Sequence, residues 1–129
     1  MLRTSIYAGK LIKTLMDAQA DPNIQNRDGR TACFIAAQQG HAHVIAVLKL
    51  KADVKIAELK ENTPLHAAAL GGHTECVKEL VSAGADILAV NGAGRTALQI
   101  AEESNNHDVA QLLRERVQHG VARTASGGV

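Results

Sequence analysis

Residues Gly92-Ala93-Gly94-Arg95-Thr96-Ala97 fit the pattern G-x-G-x-x-A. In a dinucleotide site such glycines turn the chain tightly and let the backbone approach a pyrophosphate, which the amides opening the next helix then hold. The apolar run Ile87-Leu88-Ala89-Val90 ahead of it is strand-like, and Asp108 lies downstream at a spacing suited to a ribose hydroxyl. A site of this kind also needs a second buried strand after the helix, and Asn105 to Arg116 has a helical period instead. The same slot recurs as Arg27-Asp28-Gly29-Arg30-Thr31-Ala32, which marks it as a repeated turn. A dinucleotide-binding enzyme using Gly92 to Ala97 is therefore the weakest reading, and no cofactor is expected.

His73-Thr74-Glu75-Cys76 brings together residue types that can ligate a metal or form a nucleophile with its base. Zinc needs four converging ligands, and the other cysteine, Cys33, falls in a different segment with no paired spacing. His41 and His73 fill one repeated slot, which points to a structural role and to no metal site. Asn62-Thr63-Pro64 is no glycosylation acceptor, because Pro holds the third position. Without paired carboxylates, an activated nucleophile or a believable phosphate cradle, the chain is expected not to be an enzyme.

The elements that carry these residues recur. Ala20-Asp21, Ala52-Asp53 and Ala85-Asp86 each precede a threonine, Thr31, Thr63 and Thr96, by the same eleven residues, and the threonines are 32 and 33 apart. Tandem self-similarity at this period marks a stacked array in which no unit buries its apolar face alone. In the middle unit, Thr63 can cap a helix with Pro64 at its first position, and His66 can reach back to the cap. Leu65, Ala68 and Ala69 mark one face of that helix, and Cys76, Val77, Leu80 and Val81 mark one face of a second. Gly72 and Gly84 suit the ends of the two helices. The first unit keeps Gly29-Arg30-Thr31 and Gly40-His41; the third keeps Gly94-Arg95-Thr96, with Asn105 in the place of Gly40 and Gly72.

Asn62-Thr63-Pro64-Leu65-His66-Ala67-Ala68-Ala69 with Gly71-Gly72-His73 and Gly84-Ala85-Asp86 closely resembles the ankyrin repeat. The resemblance covers roughly residues 10 to 116. It implies an all-α solenoid of stacked helix-turn-helix units joined by β-hairpin-like loops. The expected organisation is an N-terminal half repeat over 1–19, repeats over 20–51, 52–84 and 85–116, the last acting as a cap, and a disordered tail over 117–129.

Composition narrows the function. The 129 residues carry a net charge of +1 and only 2% aromatics, so neither a nucleic-acid footprint nor a base-stacking platform is visible. No apolar run is long enough to span a bilayer. Cys33 and Cys76 read as reduced core thiols, which places the protein in cytosol or nucleus, and the basic first sixteen residues do not outweigh that as a presequence.

The resemblance implies a non-catalytic module that binds a protein through its hairpin tips and the concave side of its first helices. Mapped onto this chain, the contact residues are Arg27, Asp28, Arg30, Gln38, Gln39, Leu59, Lys60, Asn62, Leu70 and Arg95. Arg30 and Arg95 share a slot, so the expected partner is an acidic or mixed peptide segment. The competing class is architectural, a fragment or self-stacking unit of a larger array. The chain is expected to be monomeric, with weak self-association through Leu2, Ile6 and Tyr7 at its N-terminal end. Glu61, where the other tips have Gly29 or Gly94, and the short first unit both point to the junction of units one and two as a place of strain or specialised recognition.

Overall fold

The computed structural model describes residues 21–127, with side chains through Gln118. Among these residues there are six helices and no strand: α1 Ala32–Gln39, α2 Ala42–Leu48, α3 Pro64–Gly71, α4 Thr74–Ser82, α5 Ala97–Glu103 and α6 His107–Gly127. The expected N-terminal half repeat and the expected self-association surface fall within residues 1–20, outside the described residues.

Each unit begins with a tight loop closed by a backbone hydrogen bond. The N–H of Asn26 donates to Arg30 O, that of Glu58 to Asn62 O and that of Asn91 to Arg95 O, at 3.0, 2.9 and 3.0 Å. The segment Ile87 to Val90 is turn and loop, so the strand expected there is absent. A threonine then starts the inner helix: Thr31, Thr63 and Thr96 accept from the backbone N–H of Phe34, His66 and Gln99. His66 and Gln99 return the bond to the threonine N–H and complete capping boxes, whereas Phe34 cannot. The inner helix closes through a left-handed residue, which in unit three is Asn105 at φ 59°, the side chain best able to replace Gly there.

The inner helices α1, α3 and α5 stack in one row and the outer helices α2, α4 and α6 in another. Ala36, Ala37, Ala68, Ala69 and Ala101 are buried between inner helices, where their small side chains permit close approach. Ile45, Leu48, Val77, Leu80, Val109 and Leu113 fill the space toward the outer row. Truncating Leu80, which is fully buried, would cost about 2–5 kcal/mol.

Polar bonds fix the register between units. His73 Nε2 lies 3.2 Å from Gln38 O, and in the equivalent slot Asn106 Nδ2 donates to Ala69 O at 2.7 Å and Leu70 O at 3.0 Å. Tip joins tip through Leu59 N–H to Asp28 O (3.1 Å) and Gly92 N–H to Lys60 O (2.9 Å). On the outer row Lys49 Nζ meets Glu79 Oε2 at 2.9 Å. The junction of units one and two is thus bonded as fully as the next one. What strain exists there sits at Glu61, whose φ of 66° is the left-handed conformation held by glycine in the other two tips.

The last helix corrects the expected tail. It continues through residues 117–127, which the sequence analysis assigns to disorder after Arg116. Val117, Gln118, Val121, Ala122, Arg123 and Ala125 tolerate a helix, and a lone Gly120 without proline does not stop one already begun.

Candidate functional site

The tips and the exposed side of the inner helices enclose a groove of about 640 Å³. Seven of the ten expected contact residues line it: Asp28, Arg30, Gln38, Leu59, Lys60, Asn62 and Leu70. Arg27, Gln39 and Arg95 do not. Its lining includes two large apolar side chains open to solvent, Leu59 and Leu70, 74% and 64% exposed. Singly exposed leucines are ordinary, but two in one concavity make a surface that gains by being covered.

The structure commits two of the expected arginines within the molecule. Arg95 Nε pairs with Glu103 Oε1 at 2.9 Å, both half-exposed, an interaction worth less than about 1 kcal/mol. The Arg30 guanidinium lies over the Phe34 ring, 5.6 Å from its centroid, and its Nε is buried with no partner. The two guanidinium groups therefore do not form the single free edge expected for an acidic segment.

Among the groove residues that the sequence analysis does not name as contacts are Phe34, Glu58 and His66. Glu58 is only 8% exposed. Its Oε1 accepts from Lys60 N–H (2.8 Å), Asn62 N–H (2.9 Å) and the Asn62 amide (3.1 Å), which holds the tip. Asn26 and Asn91 perform this task in units one and three, each accepting two backbone N–H bonds at Oδ1. An acid in a slot that elsewhere reads Asn was the signal available in the sequence.

His66 connects groove and stack. Its Nδ1 accepts from Thr63 N–H at 3.1 Å, which puts the ring proton on Nε2, where it donates to Arg95 O at 2.9 Å. Burial lowers its pKa below the usual histidine range, opposed by the Arg95 and Ala89 carbonyls.

The chemical candidates acquire structural explanations. In the glycine motif, Gly92 N–H donates to Lys60 O and Gly94 N–H to Asn91 O, while those of Ala93 and Arg95 donate to Asn91 Oδ1 and that of Thr96 to Gln99 Oε1. These five loop amides are engaged within the chain and do not form a phosphate cradle. A Cβ on Gly92 would lie 3.0 Å from Lys60 O, so that glycine serves tip packing. Burial pushes the thiols of Cys33 and Cys76 up to about 12 and about 11, which keeps both protonated and poorly nucleophilic. Among the described residues no group of acids, histidines and cysteines converges as a metal site.

A family profile for ankyrin repeats in three copies matches residues 2–91 and 45–123. The chain belongs to the ankyrin-repeat family. Its similarity extends to the palmitoyltransferase AKR1 of Saccharomyces cerevisiae, 34% identical over 100 residues that are 77% of this chain and 13% of that protein. It is also 34% identical over 116 residues to the probable E3 ubiquitin-protein ligase XBOS31 of Oryza sativa, covering 85% of this chain and 25% of the relative. Alpha-latrocrustotoxin-Lt1a of Latrodectus tredecimguttatus is 33% identical over 115 residues, 86% of this chain and 8% of the toxin. This chain thus spans between 8% and 25% of the length of these relatives, which carry their ankyrin repeats within larger proteins. The all-α repeat architecture expected from the sequence is the one observed.

Proposed function

We propose that this ankyrin-repeat chain is a non-catalytic binding module that takes a protein segment of mixed character into the groove between its tips and inner helices. Ankyrin repeats are protein-interaction units, and the observation that supports the groove as the contact surface is the pair of exposed leucines, Leu59 and Leu70, set among Asp28, Arg30, Lys60 and Asn62. Apolar anchors ringed by polar groups are the usual anatomy of a contact whose few central side chains dominate affinity. The enzymatic names of two relatives belong to larger proteins and carry no catalytic claim for this segment. Among the described residues no helix is long and apolar enough to cross a membrane. The two buried free cysteines fit a reducing compartment, and cytosol or nucleus is the location proposed.

The test is site-specific photo-crosslinking in cells, with a benzophenone amino acid replacing Leu59 on the groove or Lys78 on the outer face. Discrete adducts from position 59, absent from position 78, are expected. Adducts from position 78 alone would place the contact on the other side of the stack.

A further inference from the structure

Glu58 differs from its counterparts in more than length. An Asn in this slot offers one oxygen to the tip and turns an N–H₂ donor outward; Asn91 Nδ2 accordingly donates to Asn62 Oδ1 at 2.8 Å. Glu58 meets the same structural demand with Oε1 alone, which takes three hydrogen bonds. The surplus is a second carboxylate oxygen, Oε2, that accepts no bond among the described residues. It is not sealed in the interior, since the sealed and unpartnered side-chain atoms there are Arg30 Nε and His41 Nε2. Although Lys60 and Arg30 line the same groove, neither forms an ion pair with Glu58.

Glu58 is a groove-lining residue more than nine-tenths buried, with one carboxylate oxygen saturated and the other unbonded, and such a group is a prepared acceptor. Its position is fixed by the tip, so no side-chain freedom is lost when a donor arrives. Leu59 and Leu70, which line the same groove, present aliphatic surface of the kind that the methylene stem of a long cationic side chain covers well. The one groove cation with an aromatic neighbour, Arg30, is already stacked on Phe34.

We infer that the partner segment carries an arginine or lysine whose cationic head is received by Glu58 Oε2 while its stem lies on Leu59 and Leu70. This deepens the reading of the groove as the contact surface and rests on it. It also reverses the expectation of an acidic segment at this point: the anchor is basic, and the acidic groups of a mixed segment fall toward Lys60, the groove cation not stacked on Phe34.

The experiment selects random linear peptides by phage display against the full chain and, in parallel, against Glu58→Gln. Gln keeps an oxygen for the tip N–H groups and removes the charge, and Glu58→Asn, the residue of the other two slots, serves as a second variant; urea midpoints equal to wild type confirm that both fold. Wild type is expected to yield peptides with Arg or Lys at one fixed position, and both variants to lose that preference. For a selected peptide, replacing the cation by neutral citrulline or by norleucine should weaken binding to wild type about tenfold or more and leave binding to Glu58→Gln unchanged. Peptides that lack a fixed cation, or carry Asp or Glu there, yet lose binding with Leu59→Ser, overturn the role of Glu58 and leave the groove standing. Binding indifferent to Leu59→Ser and Leu70→Ser, or no selected peptide at all, overturns the groove and the basic anchor together.

Discussion

Replacing His66 separates the stacking bond from the helix cap. The side chain is 2% exposed and joins Thr63 N–H of its own unit to Arg95 O of the next. In His66→Ala both groups lose their partner and the imidazole volume is vacated, a cost of about 3–5 kcal/mol. His66→Gln is the informative variant. Gln99 fills the same slot in unit three and caps Thr96 through Oε1 at 2.9 Å, so Gln at 66 can retain the cap while releasing Arg95 O. The expected loss is about 1–2 kcal/mol, the worth of one buried hydrogen bond with an orphaned acceptor. A pH arm strengthens the test. Because burial lowers the pKa of folded His66 below its unfolded value, the unfolded chain binds the proton more tightly. Stability is therefore complete above the unfolded pKa of about 6.5 and falls as pH drops through the folded one, by at most about 1.4 kcal/mol per pH unit. His41, lowered by burial and by His43 and His73, contributes in the same direction. Urea unfolding followed by circular dichroism at pH values near 7.5 and 5.5 should show a shallower acid-side loss for His66→Gln than for wild type. A variant as stable as wild type at the higher pH, or with an undiminished acid-side loss, would refute the role assigned to Nε2.

The tips and thiols give two further checks. Glu61→Gly removes a left-handed strain of about 1–2 kcal/mol and returns about half of that as unfolded-chain entropy, so a net gain near 0.5–1 kcal/mol is expected in urea. Gly29→Ala should cost about 1–2 kcal/mol more than Gly94→Ala at similar φ, since its Cβ would meet Leu59 N at 3.0 Å whereas that of Gly94 meets nothing within 4 Å; equal costs would show that the tips do not touch. Cys33 and Cys76 should react with a thiol reagent at pH near 8 only as fast as the protein unfolds, and free-thiol rates in the native state would contradict their burial.

Local chemistry was legible in the sequence because it is written within a few residues. Thr63, Pro64 and His66 declare a capped helix start, and Thr96 with Gln99 repeats it. The left-handed Asn105 followed from its slot, and the strain at Glu61 from its standing where the other tips carry glycine. The groove was legible as a strip but not in its electrostatics. Whether Arg95 is free depends on Glu103 meeting it across an inner helix, and Arg30 on the ring of Phe34, which are rotamer choices that spacing does not specify. Glu58 escaped notice because its turn-holding role looks, in sequence, like any exposed acid in a loop. The helix over residues 117–127 escaped because small residues and Gly120 lower helical propensity without forbidding extension of a helix already nucleated.

The bonds that tie Leu59 to Asp28 and Gly92 to Lys60 join only neighbouring tips. A load applied along the stack therefore passes through every junction in series, with each carrying the whole force and each adding its own small extension. Such an array behaves as a soft spring whose compliance grows with the number of units, and its rupture force is that of one junction however many are stacked.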